Sequence, residues 1–210
     1  MKLIGMLDSP YVRRVAISLD LMAISLDLMG VSFEHVALSV FGSFEAFRAI
    51  NPVVKAPSLV LDDGNVLMDS TLIIDYFETQ ACADKKLMPQ QAMPLVASLQ
   101  VLGLALAACE KTVQIVYERQ LRPEEKRHQP WLDRVVGQLL AACREWETRL
   151  ACMQPAMRDR PDQAAITSAV AWSFIQLMIA DVVRADDFPE LHAHAARLEE
   201  TKLFKRYPQA

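Results

Sequence analysis

The stretch at residues 51–70, NPVVKAPSLVLDDGNVLMDS, carries the most structural information in this chain. Short apolar runs at residues 60–61 and 66–68 flank the sequence DDGN at residues 62–65, which is strong turn chemistry, so the pattern predicts a β-hairpin. Pro57 cannot donate a hydrogen bond to a strand ladder. It therefore belongs at the start of the first strand, either as an ordinary trans proline or in a cis peptide bond.

A helix is predicted directly after the hairpin. Following Asp69 and Ser70, apolar residues recur at helical spacing through residues 72–77. Aspartate and serine are good helix N-caps, and the free backbone N–H groups of a first helical turn attract anions. The pair can be a plain cap, an anion site, or both.

The N-terminus supplies a second motif. Residues 1–7, MKLIGML, predict a strand, and Asp8-Ser9-Pro10-Tyr11 predicts a turn that enters a helix. With the Lys-Ala-Pro step and the Asp-Ser helix start in this order, the chain resembles the glutathione S-transferases. The resemblance implies an α+β, thioredoxin-like N-terminal domain at residues 1–80, a linker at 81–92, and an all-helical C-terminal domain at 93–210.

Ser9 is the catalytic candidate that the resemblance implies. A thiol becomes a good nucleophile only as the thiolate, and a cysteine thiol has a pKa near ~8.5. A serine hydroxyl at the start of a helix can donate a hydrogen bond to the sulfur of glutathione and stabilise that thiolate. The alternative is that Ser9 only caps the helix before Pro10.

The resemblance also assigns the residues that hold glutathione. A cis Pro57 would aim the backbone of Ala56 at the cysteinyl part of the tripeptide. Lys55 would attract the glycyl carboxylate, although a solvated lysine explains it equally well. Asp69 would neutralise the γ-glutamyl ammonium, and Ser70 would bind the γ-glutamyl carboxylate.

The pocket for the second substrate is expected between the two domains, where helices starting at Met93 and Pro123 would face Ser9. Five residues are candidates for its lining: Tyr11, Val12, Phe41, Gln114 and Tyr117. Each of them is more often a core or surface residue, and the electrophile itself is not readable from the sequence.

The amino-acid composition argues against several classes of function. The 210 residues are 52% hydrophobic and 23% charged, with a net charge of −4 and no run of Lys and Arg, which disfavours nucleic-acid binding. The four cysteines form no CxxC and the four histidines lack ligand spacing, so no metal site is expected. Without a secretory signal, the cysteines are expected to be reduced thiols of a cytoplasmic protein.

Two uncharged stretches, residues 94–109 and 164–180, raise the question of a membrane span. Both are shorter than the ~20 residues that cross a bilayer. They are therefore predicted to be buried core helices, with no membrane partner.

The predicted first helix contains a tandem repeat, because residues 16–22 and 23–29 both read AISLDLM. Seven residues are nearly two helical turns, so both copies would face the same side of one helix. Gly30, a helix stop, follows only the second copy. These local signals predict a lengthened helix and a shifted or shortened second strand, with one copy looped out as the close alternative.

The resemblance thus implies a homodimeric glutathione transferase that conjugates the glutathione thiolate, as co-substrate, to small electrophiles in detoxification. One alternative is a noncatalytic glutathione-binding or scaffold protein of the same fold. Another is a glutathione-dependent isomerase or dehalogenase, which would share the first-domain motifs.

Overall fold

The computed structural model describes residues 1–22, 30–152 and 161–209. The chain forms two compact units. The sheet unit comprises Met1–Met88 together with Thr201–Ala210, and the helical unit comprises Pro89–Glu200. This division differs from the predicted one, because the C-terminal segment belongs with the sheet and the boundary lies inside the predicted linker.

The sheet unit has the expected thioredoxin-like architecture, with a small mixed sheet and helices. Its elements are β1 (Lys2–Ile4), α1 (Pro10–Leu21), β2 (Glu34–Val36), α2 (Phe44–Ile50), β3 (Ser58–Val60), β4 (Val66–Met68), α3 (Ser70–Gln80) and the C-terminal α8 (Lys202–Arg206). The strand order is β2-β1-β3-β4, with β1 parallel to β2 and antiparallel to β3. Helices α1 and α3 pack together, and both bury apolar residues such as Val15 and Phe77.

The predicted hairpin is confirmed. Strands β3 and β4 pair antiparallel, and the N–H of Leu61 donates to the Asn65 carbonyl across the turn. Gly64 has a φ of 86°, a conformation that glycine adopts without steric cost. The predicted helix start is confirmed as well, since α3 begins at Ser70 with Asp69 as its N-cap.

Strand register brings three separate loops to one end of the sheet. Ile4 pairs with Ser58, and Ser58 pairs with Met68. The residues just beyond these pairs are Gly5, Pro57 and Asp69. The turn between β1 and α1, the Pro57 loop and the start of α3 therefore lie side by side, although they are far apart in sequence.

The helical unit contains α4 (Ala92–Gln120), α5 (Gln129–Cys152), α6 (Gln163–Ile179) and α7 (Pro189–Glu199). Trp172 of α6 packs edge-on against both Trp146 and Phe188 in its core. Asp162 caps α6 by accepting a hydrogen bond from the Ala165 N–H at 2.8 Å. The predicted helix start at Pro123 is wrong: a single 3-10 turn lies there, and α5 begins at Gln129.

The two uncharged stretches differ in burial. Helix α6 is buried along nearly its whole length, as predicted. Helix α4 buries one face but leaves Met93, Val96 and Leu99 exposed, so the expectation of a core helix is only half met. By length and composition alone, α4 is long and apolar enough to cross a membrane, and only 33% of its most apolar 18-residue stretch is buried. Core helices of water-soluble proteins also meet these criteria.

The C-terminal segment is an integral part of the sheet unit. Phe204 is completely buried, and the Arg13 guanidinium lies 5.4 Å from the centre of its ring. The Nε of Arg13 also donates to the Tyr207 carbonyl at 2.7 Å, while the Tyr207 ring stacks on Phe33. This segment therefore packs against both α1 and the start of β2.

The predicted lengthening of the first helix is wrong. Helix α1 ends at Leu21, and Met22 has extended dihedral angles of −80° and 129°. After the second copy, whose residues 23–29 lie outside the described part of the chain, the Val31 N–H donates to the Leu19 carbonyl at 2.8 Å. Strand β2 follows at Glu34 in register with β1, so the second strand is retained.

Candidate functional site

The Ala56-Pro57 peptide bond is cis, which settles the alternative left open by the sequence. The loop before it is held by Asn51, a buried side chain whose Nδ2 donates to Ser58 Oγ at 2.8 Å. Ser58 Oγ in turn donates to the Lys55 carbonyl at 2.8 Å. This network fixes the backbone of Ala56 at the end of the sheet.

Ser9 lies in the turn between β1 and α1, half-buried, as the N-cap of α1. Pro10 occupies the first helical position, as is common at helix starts. The Ser9 side chain makes no capping hydrogen bond with the helix, although its carbonyl accepts from the Arg13 N–H. The side chain therefore does not perform the capping role that the sequence left as the alternative.

Gly5 lies where the turn between β1 and α1 approaches the cis-proline loop, a role that the sequence alone did not reveal. It has a φ of 139°, and a Cβ there would lie 2.5 Å from Val12 Cγ2 and 3.2 Å from the Ala56 Cβ. The Gly5 carbonyl lies 2.7 Å from His35 Nε2 of strand β2. Only a residue without a side chain allows these loops to approach so closely.

Asp69 carries a negative charge at the start of α3. Its Oδ1 accepts from the Thr71 N–H at 2.9 Å, and its Oδ2 accepts from Lys55 Nζ at 3.1 Å. Partial burial would raise the pKa of Asp69, but the hydrogen bonds from Lys55 and Thr71 outweigh burial and hold the pKa below its usual value. The carboxylate is therefore ionised at neutral pH and able to bind a cation.

Lys55 is expected from the resemblance to hold the glycyl carboxylate, but the structure pairs it with Asp69. Both side chains are partly exposed, at 50% and 39%. An ion pair of this kind contributes at most about 1 kcal/mol, so an incoming ammonium group can replace Lys55 on Asp69 at little cost.

Ser70 has a partner that the sequence did not suggest. Arg14, on α1, donates through Nη1 to Ser70 Oγ at 3.0 Å and to Thr71 Oγ1 at 3.2 Å. Arg14 is 1% exposed and Ser70 is 3% exposed. A buried arginine is hard to predict from sequence because arginines usually lie at the surface; its position five residues after Ser9 in α1 is the only available signal.

The residues predicted to line the electrophile pocket differ in their surroundings. Val12 is fully buried, and its side chain lies against Gly5. Tyr11 is half-buried on α1, and Phe41 is 58% exposed. Gln114 and Tyr117 lie on α4 of the helical unit, half-buried and exposed respectively.

Cysteine chemistry is not a feature of this site. None of the four cysteines forms a disulfide bond in the described part of the chain, and burial raises the pKa of Cys143 to about 12. Its thiol is therefore uncharged at neutral pH and a poor nucleophile. In the described residues, no group of three or more His, Cys, Asp or Glu side chains is arranged to hold a metal ion.

Comparison with known proteins identifies the sheet unit. Residues 3–84 match the family model described as the glutathione S-transferase N-terminal domain. No protein among the curated sequences matches the chain.

Solved structures extend the similarity to the whole chain. A glutathione transferase family member from Pseudomonas fluorescens Pf-5, solved with bound glutathione, is 28% identical, with a TM-score of 0.80 over 100% of this chain and 98% of that chain. A glutathione S-transferase from Methylobacterium radiotolerans, solved with glutathione sulfonate, is 26% identical, with a TM-score of 0.85 over 100% and 95%. Maleylacetoacetate isomerase from Methylobacterium extorquens shares the fold at 22% identity, with a TM-score of 0.71 over 99% and 95%.

These matches agree with the motifs and with the geometry of the site. Residues 3–84 of this protein form a glutathione S-transferase N-terminal domain, and the chain as a whole has the glutathione transferase fold.

Proposed function

We propose that the protein is a glutathione transferase in which Ser9 stabilises the glutathione thiolate for attack on a small electrophile. The observation that carries this proposal is the Ser9 side chain itself, which stands at the N-terminus of α1 without a capping bond. Its hydroxyl is therefore available to donate to a bound sulfur.

The energy of this arrangement is sufficient. A hydrogen bond to a charged group contributes roughly 1.5–3 kcal/mol, and a helix N-terminus roughly 0.3–1 kcal/mol. One pKa unit corresponds to ~1.36 kcal/mol, so the two effects together lower the thiol pKa by about one to three units. A large fraction of bound glutathione is then thiolate at neutral pH without any general base.

The rest of the site suits the remaining groups of the tripeptide. The backbone of Ala56, held beside Gly5, can pair with the cysteinyl N–H and C=O. Asp69 offers a carboxylate to the γ-glutamyl ammonium, and Ser70 offers its hydroxyl and helix-start N–H to the γ-glutamyl carboxylate. Lys55 is proposed to leave Asp69 and bind the glycyl carboxylate when the ligand arrives.

A homodimer is part of the proposal, supported by apolar residues on the surface of the sheet unit. Val66 and Met68 on the edge strand β4 and Leu72 and Tyr76 on α3 are all exposed. Adjacent exposed apolar side chains on an edge strand and the helix that follows it favour contact with another protein surface. The free cysteines support a cytoplasmic location.

Conjugation of glutathione to an aryl halide and to other electrophiles, followed by product absorbance, tests the proposal. Ser9→Ala should reduce kcat about tenfold to a hundredfold, because it removes one charge-assisted hydrogen bond. Ser43→Ala is a matched control, since Ser43 is likewise an N-cap without a side-chain capping bond, at α2. Equal activity of the Ser9→Ala variant and the wild type would contradict the assigned role. Binding without conjugation of any electrophile would favour the noncatalytic or isomerase alternatives.

A further inference from the structure

We propose that Asn51 is a positioning residue, whose buried side chain holds the neighbouring Val54 in a strained backbone conformation and so keeps the loop before Pro57 in the shape that binds glutathione. This inference rests on the proposed function, because the backbone of Ala56 is the ligand contact that the loop presents. Asn51 acts through the loop backbone rather than through contact with the ligand.

Val54 has an unfavourable backbone conformation. Its φ is 52°, in the left-handed region that β-branched residues avoid. In the described part of the chain, Asp69 is the only other residue besides glycine with positive φ, and aspartate tolerates this region. Strain of this kind lowers the population of a conformation by roughly fivefold to a hundredfold. Val54 therefore needs neighbouring contacts that hold it in place.

The strain arises from the residue type at the end of a β-turn. The Val54 N–H donates to the Asn51 carbonyl at 2.9 Å, which closes a four-residue turn with Pro52 in second place. In the commonest β-turn, asparagine is favoured first, proline second and glycine fourth. The fourth residue here is valine, so a glycine at this position would remove the strain and keep the turn.

The Asn51 side chain holds the loop on both sides of Val54. Its Oδ1 accepts from the Val53 N–H at 3.0 Å, and its Nδ2 donates to Ser58 Oγ at 2.8 Å. Ser58 Oγ in turn donates to the Lys55 carbonyl at 2.8 Å. Asn51 is 4% exposed and Ser58 is fully buried, so water competes little for these bonds. Val54 therefore cannot relax without breaking one of them.

Relaxation of Val54 would move the two residues that follow it, both of which belong to the proposed site. Lys55 Nζ lies 3.1 Å from Asp69 Oδ2, and Ala56 precedes Pro57. The affinity for a ligand falls in proportion to the fraction of molecules in the binding conformation. Loss of the Asn51 bonds should therefore weaken glutathione binding, and it should do so only while a strained residue occupies position 54.

A double-mutant cycle tests this dependence. Dissociation constants for glutathione are measured by calorimetry on the full chain for the wild type, Asn51→Ala, Val54→Gly and the double variant, after circular dichroism shows that each is folded. Val53→Gly is the matched control, alone and with Asn51→Ala, because it adds the same backbone freedom at an exposed position without positive φ. A purely structural role of Asn51 would give the same loss of affinity in all three backgrounds.

Asn51→Ala should weaken glutathione binding about tenfold or more, because Val54 then relaxes. In the Val54→Gly background the same substitution should cost about threefold or less, and in the Val53→Gly background it should again cost about tenfold. An equal loss in the three backgrounds, or no loss in the first, would overturn the inference and leave the proposed function standing. Failure of the wild type to bind glutathione would overturn both.

Urea denaturation checks the strain without any ligand. Val53→Gly should lower the denaturation midpoint, because glycine gives the unfolded chain more freedom. Val54→Gly should keep or raise the midpoint, because relief of the strain offsets that cost. Equal decreases at the two positions would show that Val54 is not strained and would overturn the inference.

If Asn51→Ala does not fold, Ser58→Ala takes its place in the cycle. It removes the hydroxyl that links Asn51 to the Lys55 carbonyl and leaves the bond between Asn51 and Val53 in place. A loss of affinity that Val54→Gly suppresses and Val53→Gly does not suppress supports the inference. A loss of the same size in both backgrounds overturns it.

Discussion

The geometry of the site depends on the absence of a side chain at Gly5. Replacing it with alanine adds a Cβ 2.5 Å from Val12 Cγ2, in a backbone conformation with φ of 139°. Backbone strain and overpacking each cost roughly 1–3 kcal/mol, so Gly5→Ala should lower the free energy of unfolding by about 2–6 kcal/mol. It should also weaken glutathione binding, because the displaced neighbour Ala56 contacts the ligand in the proposed complex.

Gly64→Ala separates these two costs. Gly64 also has positive φ, but no atom lies within 4 Å of the added Cβ. This variant should lose only about 1 kcal/mol, measured by urea denaturation, and should bind glutathione like the wild type. Equal losses for the two variants would show that the close contact at Gly5 does not matter.

At the residue scale, the sequence predicted the groups that belong to local patterns. Asp69 and Ser70 stand out in the sequence because capping residues precede a helical periodicity, and Pro57 stands out because a proline before a strand is unusual. Arg14 and His35 were missed, since their partners lie 56 and 30 positions away along the chain. Local sequence patterns do not reveal contacts between residues that lie so far apart in the chain.

The duplicated heptad bears on where helix α1 ends. Helix propensity predicted one long helix, but the described residues on both sides of the second copy show tertiary contacts that override propensity. The Val31 N–H donates to the Leu19 carbonyl, and a Cβ at Gly30 would lie 2.5 Å from the Asp20 carbonyl oxygen. The chain is therefore back at the end of α1 when it leaves the second copy.

Deleting residues 23–29, which joins Met22 directly to Gly30, should therefore preserve the fold. Because Gly30 and Val31 already lie beside the end of α1, the deletion should leave the free energy of unfolding within about 1 kcal/mol of the wild-type value. Thermal and urea unfolding measure this, with an insert of Gly and Ser in place of residues 23–29 as a control. A deletion variant that cannot fold would show that the second copy supplies part of the core.

The C-terminal segment links the first and last parts of the molecule. Phe204→Ala should lower the free energy of unfolding by about 3–5 kcal/mol, because it removes a fully buried ring on which the Arg13 guanidinium packs. Amide hydrogen exchange should show lost protection in α1. The neighbouring exposed Lys202 serves as the control, and Lys202→Ala should change stability by no more than about 0.5 kcal/mol. Unchanged exchange in α1 of Phe204→Ala would contradict this account.

The stability of the whole molecule should depend on pH through His194. Burial lowers the pKa of His194, and the nearby positive charge of Arg197 lowers it further. The hydrogen bond between His194 and the Ala165 carbonyl opposes this shift but does not cancel it. The folded-state pKa is then below the unfolded value of ~6.5, so the unfolded chain takes up the proton first on acidification. The free energy of unfolding should fall as the pH drops below ~6.5, by at most about 1.4 kcal/mol per pH unit.

Urea denaturation between pH 5 and about 7.5 measures this effect, and His194→Gln should flatten the slope. Other buried groups, such as Asp162, titrate in both proteins and cancel in the comparison. His192→Gln, on an exposed position of the same helix, should keep the wild-type slope. Parallel curves for His194→Gln and the wild type would exclude His194 as the source.

At the scale of the whole molecule, the sequence predicted the thioredoxin-like and helical parts but not their limits. The last ten residues were assigned to the helical domain because the periodicity there is helical. They belong to the sheet unit because Phe204 and Tyr207 contact Arg13 and Phe33, residues near the other end of the chain. Periodicity identifies an element, whereas its packing partner depends on the complete fold.

The ultraviolet absorbance of the thiolate, titrated against pH for glutathione bound to this protein, tests whether Ser9 stabilises the thiolate. If Ser9 donates to the bound sulfur, the thiol pKa should lie about one to three units below the ~8.5 of an unperturbed thiol, and Ser9→Ala should lose most of that shift. Saturable binding with an unshifted pKa in the wild type would contradict the role of Ser9 and leave a glutathione-binding protein without the proposed activation.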